Sequence, residues 1–441
     1  MLITEGFERA KSLLSREVPA DHDTISPSLK QGIKAVFGEE LTVEQAVKKI
    51  IDDVRSKGDN ALIDYTFRID KIRLNSLEIS RSAINNAYQS IDKELLSSLE
   101  LAASRIRSYH DREKNAIGGG FTGEESGMLI HPLERVGIYV PGGTASYPSS
   151  VLMTAVPAKV AGVKEVIMAT PPGKDGSIPL SVLVAADISG VDRVFSIGGA
   201  QAIAALTYGT ESIPRVDKIC GPGNIFVVMA KKLVYGMVDI DGLAGPSEVL
   251  IIADETTDPA YCAADLLAQA EHDPLASAIL VTTSRKLADE VNQEVERQLQ
   301  GLERNAIVSE SLSNRGTIAV VANLDEAIEL ANLYAPEHLC LAVANAADYV
   351  KKIHNAGCIF VGEDSTVALG DYIAGPSHVL PTGGTARFGS PLNIMDFLKF
   401  TSLVTISKNS LKQIGQAAST IARAEGLEAH ARAVEKRLKG I

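Results

Sequence analysis

The 441-residue chain has no tryptophan, 5% aromatic residues and 4 cysteines, so large aromatic anchors are few. Cys220, Cys262, Cys340 and Cys358 form no CxxC pair and no close-spaced framework. That pattern excludes a disulfide-stapled secreted scaffold and points to a reducing, cytoplasmic compartment. Positive charge is also short: 43 Lys+Arg against 55 Asp+Glu leaves −12 at pH 7. This is the wrong sign for a nucleic-acid binder that works by counterion release. No charge-free apolar run reaches about 18 residues, so no membrane span is expected. The start, MLITEGFERAKSLLSREV, lacks the cationic and unbroken apolar regions of a secretory signal. A GxGxxG run after a strand is missing as well, and with it the standard dinucleotide fingerprint.

What is present is length for two to four units, at roughly 150 residues each, and 36 glycines for tight turns. From Val43 to about Ala116 the apolar residues recur with helical spacing among charges, which predicts several amphipathic helices. After Gly118–Gly120 the texture changes to short apolar runs alternating with helical stretches. RVGIYV, EVIMAT, RVFSIG and DKIC form one block; EVLIIAD, AILVTT, TIAVVA, LCLAV and CIFV form another. Such alternation predicts βαβ units with parallel sheets, an α/β fold. Two helices are expected in the tail, over 411–424 and 427–438, with too little apolar surface for a core of their own.

Two segments echo each other in the frame D-x-[LI]-A-G-P-S-x-V-L, Asp241–Leu250 and Asp371–Leu380, differing at Glu248 and His378. We read both Asp…Ser loops as facing one shared site. A second echo, Pro141–Ala145 and Pro381–Ala386, is equally explained by common turn chemistry.

Four of the 8 histidines, His272, His338, His378 and His430, sit in motifs with a carboxylate or amide. Gln269 and His272 end an amphipathic run three residues apart, on one helical face; a polar last turn before Pro274 is the plain alternative. In YAPEHL, Pro336 should end a helix and Glu337-His338 should open a strand at the mouth of an α/β sheet, where sites are expected. Such a pair offers one base for a hydroxyl proton and one for a water; a surface pair at a strand start is the alternative. The Gly/Pro-dense loop GDYIAGPSHVLPTGG carries Asp371 and His378, though Asp371 capping its own turn would serve structure alone. In the tail, EGLEAH carries Glu425 and His430, where a solvated helix start is the alternative. Gln269, His272, Asp371 and His430 together would make a nitrogen/oxygen ligand set suited to zinc, which spacing alone does not assemble. Gly198-Gly199 before AQAIAAL has the form of a phosphate-tolerant helix start.

The runs RVGIYVPGGTASYPSSVLM, GGAQAIAAL, GPGN, AGPSEVLIIAD, DLLAQAEHDP, YAPEHL, GDYIAGPSHVLPTGGTARFGSPL and EGLEAHARAV, in this order, resemble the histidinol dehydrogenase family over essentially the whole length. The resemblance implies zinc-dependent oxidation of L-histidinol through L-histidinal to L-histidine with two NAD⁺, closing histidine biosynthesis. It implies zinc ligands Gln269, His272, Asp371 and His430, and bases Glu337 and His338. It implies substrate contacts from Ser247, His378 and Glu425 beside the ligands and His338, and NAD contacts from Tyr139, Gln201 and Asn224. It implies two incomplete Rossmann-like units of aldehyde-dehydrogenase type with a helical N-terminal arm and a helical C-terminal tail. The expected division is 1–30 arm, 31–245 scaffold and NAD-binding unit, 246–385 zinc and catalytic unit, and 386–441 tail. It also implies a homodimer in which Glu425 and His430 complete the partner's site. One departure is Gly242-Leu243, where the family usually has Met-Pro; losing the proline removes a φ restraint from that loop.

Rival readings remain. Cys340 or Cys220 could serve as an aldehyde-dehydrogenase-style nucleophile, though strand alternation makes Cys340 a core residue. A related branch oxidises sulfonated diols such as sulfopropanediol, but the GPSHVLPTGG and EGLEAH segments follow the histidinol pattern. A non-catalytic zinc-binding scaffold would not need Glu337-His338 beside a ligand set.

Overall fold

The computed structural model describes residues 1–16, 27–142 and 146–440. The chain opens with strand β1 (Leu2–Glu5) and helix Phe7–Leu14, then resumes with helices Pro27–Phe37, Val43–Lys57, Asp59–Asp70, Arg81–Ser90 and Lys93–Ile117. Local chemistry sets these boundaries. Thr42 and Gln45 form a capping box, and the Asp92 side chain accepts from the amides of Glu94 and Leu95. Each cap is worth about 1 kcal/mol. Helix Val43–Lys57 buries Val43, Val47, Ile50, Ile51 and Val54, the stripe that its spacing calls for.

After a hairpin of β2 (Gly120–Thr122) and β3 (Ser126–Pro132) comes the first parallel sheet: β4 (Arg135–Tyr139), β5 (Glu165–Thr170), β6 (Arg193–Ser196), β7 (Lys218–Cys220) and β8 (Asp239–Ile240). Its order is β6-β5-β4-β7-β8, the dinucleotide-binding order without the sixth strand. The second sheet has β9 (Glu248–Ala253), β10 (Ser277–Thr282), β11 (Gly316–Val320), β12 (His338–Ala342) and β13 (Cys358–Val361) in the same relative order. Strand β1 is added beyond β11. Every residue of β9, β10 and β12 is buried, which explains why these strands read as unbroken apolar runs. Alternate residues serve opposite faces: Val249, Ile251 and Leu280 pack on one side, Leu250, Ile252 and Ile279 on the other.

Both ends of the chain carry a strand that periodicity did not reveal. β1 completes the edge of the second sheet from the arm, and β14 (Leu398–Val404) in the tail pairs antiparallel with β3. Four residues are too few to show a period, and β14 has no residue buried, so neither strand has an apolar pattern to read. The last helices, Lys408–Ala424 and Glu428–Leu438, form a hairpin in which Gly415 lies against Leu438. Among the described residues no helix is long and apolar enough to cross a membrane.

Candidate active site

In each sheet the strand order reverses between two central neighbours, β4 and β7 in the first, β9 and β12 in the second. Functional candidates gather at both places. In the first sheet they lie at the carboxyl ends of the strands, the usual location for an α/β site. Tyr139 ends β4, and its hydroxyl accepts from the Gly199 amide at 3.0 Å. Burial pushes that hydroxyl up to about 12. Gly199 (φ +66) opens helix Gly199–Tyr208; a Cβ there would come within 2.7 Å of Gln201 Oε1, an atom that is buried without a partner. Asn224 caps helix Ile225–Val234, its Oδ1 accepting from the Phe226 and Val227 amides, and is exposed. Two helices thus begin at this edge of the sheet, their first amides held by the Tyr139 hydroxyl and by Asn224 Oδ1, and their positive dipole ends favour an anion there.

In the second sheet the candidates lie at the opposite, amino ends. Glu248 opens β9, His338 opens β12 and Cys358 opens β13. Glu337-His338 thus does open a strand, but the pair departs from the carboxyl-end rule. The cause is the positive-φ residue Ala335 (φ 53), which ends helix Leu324–Tyr334 and turns Pro336-Glu337 directly into the strand. Glu337 Oε2 accepts from the Glu248 amide at 2.8 Å, and His338 Nδ1 donates to the Glu248 carbonyl at 3.0 Å. The two side chains are 3.5 Å apart, and His338 Nε2 is 3.5 Å from Asp371 Oδ1, an ion-pair distance without hydrogen-bond alignment.

The electrostatics follow from this packing. Burial pushes the Glu337 carboxyl up to about 7, against the pull of His338. Burial also opposes charge on His338, but Glu337, Asp371 and the Glu248 carbonyl outweigh it and raise the imidazole. Asp371 moves down: the neighbouring imidazoles, His338 foremost, overcome the cost of burying its carboxylate. Desolvation lowers His378, whose Nδ1 donates to the Asp371 carbonyl at 2.8 Å. Gln269, at the end of helix Pro259–Ala270, is buried with its Nε2 unpartnered, and exposed His272 follows it. A cleft of about 240 Å³ is lined by His338, Cys358, Asp371 and His378 among others. Half-buried Ser247 lies beside Glu248, its carbonyl accepting from the Ser277 amide at 3.0 Å.

The fold therefore brings Glu337, His338, Gln269, His272, Asp371 and His378 to one region, and leaves Glu425 and His430 exposed on the tail hairpin. Among the described residues no three His, Cys, Asp or Glu side chains close on one metal position. The donor types still fit zinc: the imidazole of His272, the carboxylate of Asp371 and the amide of Gln269, which would ligate through its oxygen and whose Nε2 is buried without a partner. Cys340 and Cys220 are buried in apolar clusters, and burial holds both thiols well above their ordinary range, so neither offers a thiolate.

The echoed loop Asp241–Leu250 meets the turn that follows its counterpart: the Gly245 amide donates to Thr382 Oγ1 at 2.5 Å and the Gly383 amide to Glu248 Oε1 at 3.2 Å. Their aspartates part ways, however. Asp241 forms a buried ion pair with Lys231 and accepts from the Gly221 amide, at the carboxyl end of the first sheet. The echoed segments thus line one cavity, Asp241–Ala244 facing Val379 and Leu380, while their two carboxylates meet different partners. Gly242 and Leu243 are exposed beyond that anchor, and the Pro141–Ala145 echo lies partly outside the described residues. The sequence also showed no role for the Glu248 backbone, since main-chain donors leave no trace in residue type.

Residues 37–438 match the family model for histidinol dehydrogenase. The chain is 54% identical over 441 residues to a histidinol dehydrogenase of Dehalococcoides mccartyi, covering 100% of both chains. It is 50% identical over 412 residues to that of Clostridium acetobutylicum, covering 93% of this chain and 96% of the relative. A crystal structure of histidinol dehydrogenase from Elizabethkingia anophelis superimposes with a TM-score of 0.90 at 36% identity, covering 100% of this chain and 98% of that one. With two Rossmann-ordered sheets, a buried Glu-His pair and relatives alike over its whole length, the chain belongs to the histidinol dehydrogenase family.

Proposed function

We propose that this chain oxidises L-histidinol through L-histidinal to L-histidine with two NAD⁺, the closing steps of histidine biosynthesis. The observation that carries the reading is the Glu337–His338 pair, two buried bases of different kind locked to one backbone residue, beside the amide, imidazole and carboxylate of Gln269, His272 and Asp371.

His338 takes the hydroxyl proton as hydride leaves the carbinol carbon for NAD⁺, acting as the neutral imidazole whose Nδ1 donates to the Glu248 carbonyl and leaves Nε2 to accept. Glu337, titrating near neutrality, activates a water that adds to the aldehyde, and His338 assists the second hydride loss. His378, Ser247 and Glu425 would contact substrate, while Tyr139, Gln201 and Asn224 would hold NAD⁺. Gln269, His272 and Asp371 would hold zinc with the partner subunit's His430; when bound, the ion anchors and orients the substrate's nitrogens.

The tail supports a homodimer with exchanged tails. Ile414, Ile421 and Leu427 are 47%, 60% and 44% exposed, and the first two share a face at seven-residue spacing. An unburied stripe of this kind calls for a partner surface. The test is NAD⁺ reduction with histidinol, with and without chelator, beside an arm with sulfopropanediol. Turnover with histidinol that chelation removes is the expected result; turnover with the diol alone, or with neither substrate, overturns the reading.

A further inference from the structure

Arg16 stands at the end of the described arm, more than 200 positions from the strands it meets in space, and nothing in the site above gives it a task. We propose that Arg16 is a positioning residue for the Glu337–His338 pair, acting through Glu248. The inference rests on the reading of that pair as the catalytic bases.

Glu248 faces two ways. Its amide donates to Glu337 and its carbonyl accepts from His338, so the orientation of its two peptide groups sets both bases at once. Its side chain points to the arm, where both carboxylate oxygens take the guanidinium fork of Arg16, Nη1 and Nη2 each at 2.6 Å. The third donor of the same guanidinium, Nε, reaches the Tyr334 carbonyl at 2.7 Å, and the group lies 3.9 Å from the centre of the Tyr334 ring. Tyr334 is the last residue of the helix that turns through Ala335 and Pro336 into Glu337. One planar cation therefore ties together the start of β9 and the turn that delivers the pair. The Gly383 amide adds a donor to Glu248 Oε1 at 3.2 Å, and a Cβ at Gly384 would come within 2.8 Å of Arg16 Cδ. The arm side chain is thus seated against a turn that only glycine leaves open.

Burial makes the geometry specific. The Glu248 side chain is 5% exposed and that of Arg16 25%. Such a pair adds little net stability, but removing one partner strands the other charge without water. A stranded Glu248 carboxylate would turn toward solvent or toward Glu337, carrying its peptide groups along. Lysine keeps the charge but cannot supply a fork and a third donor in one plane.

A purely structural staple would lower the melting temperature of Arg16 variants and leave kcat untouched. Positioning predicts a different split. In the full-length enzyme with NAD⁺, Arg16→Ala and Glu248→Gln should lower kcat at least about tenfold with histidinol and with histidinal alike, since ångström misplacement costs up to about 100-fold. KM should stay within about threefold, the mark of an effect on the reacting geometry and not on uniform binding. Arg16→Lys should fall between wild type and alanine, and added guanidinium, against equal sodium chloride, should recover part of the alanine variant's turnover. If Arg16→Ala does not fold, Arg16→Lys and Glu248→Gln carry the same comparison. Folded variants with wild-type kcat on both substrates overturn the positioning role. His338→Asn, assayed in parallel, separates the two claims. Its loss of turnover beside active Arg16 variants sinks only this inference, whereas its retained turnover sinks the reading of the pair.

Discussion

The two parallel sheets share one strand order but use opposite ends of it. At the first, Tyr139, Gln201 and Asn224 stand where strands end and helices begin, so the positive ends of two helix dipoles lie there and favour an anion. At the second, Glu248 and His338 stand where strands begin, and helix Pro259–Ala270 brings Gln269 to that end by finishing there. The amino end offers side chains and strand-edge carbonyls in place of helix amides. One topology can therefore present an anion-binding crevice and an acid–base cleft, and which end is used decides which chemistry follows.

The most damaging way to break this contrast is at the second sheet. His338→Asn should cost about 1,000-fold in both oxidations, within the usual range for a lost general base, as read by NADH formation from histidinol and from histidinal. Glu337→Gln should sharpen the division between the two bases. Aldehyde oxidation should fall by about 100-fold while histidinal formation continues, visible when the aldehyde is trapped. Oxidation of histidinal at the wild-type rate would show that Glu337 does not activate the water.

The first sheet should respond in KM for NAD⁺ instead. Gly199→Ala places a Cβ against Gln201 at a positive φ, a strain of about 1–2 kcal/mol. The expected result is a rise in that KM of about tenfold with kcat for saturated enzyme nearly unchanged. A fall in kcat at constant KM would mean that the two ends are not separable.

The smallest effect concerns Asp70, close enough to Tyr139 to raise its hydroxyl and itself pushed up to about 6 by burial. A carboxyl raised in the folded state binds its proton more tightly there than in the unfolded chain, near 4. Stability contributed by this group therefore falls as pH rises from about 4 to 6, and the penalty is complete above that. Asp70→Asn should add about 1 kcal/mol at pH 7, after allowing for partial solvent screening, and nothing near pH 4. Denaturant melts at the two pH values check it; equal gains at both would remove titration as the cause.

Much of this molecule was legible in advance. Unbroken apolar runs such as Glu248–Ala253 announced buried parallel strands, and the helical spacing of apolar residues after Val43 announced the amphipathic helices. The motifs also named Glu337, His338, Gln269, His272 and Asp371, because proton transfer and metal binding demand particular residue types. The short edge strand Leu2–Glu5 and the exposed strand Leu398–Val404 were not legible, since neither has a pattern of burial to display. The echo of Asp241 and Asp371 marked two segments that line one cavity, but not the different partners of the two carboxylates, because a frame rich in Gly, Pro and Ser specifies a turn and not what its acid meets.

By itself the sequence determined the core strands, the amphipathic helices, the α/β class and the chemical types at the site, because periodicity and side-chain acidity are properties of residues and their near neighbours. Only the tertiary structure decided that the acid–base pair sits at the amino end of its sheet. It alone decided that Asp241 pairs with Lys231 while Asp371 meets His338, and that the Glu248 peptide groups hold both bases with Arg16 behind them. Those facts depend on backbone groups and on contacts between residues hundreds of positions apart, which only the closing of the fold brings within hydrogen-bond reach.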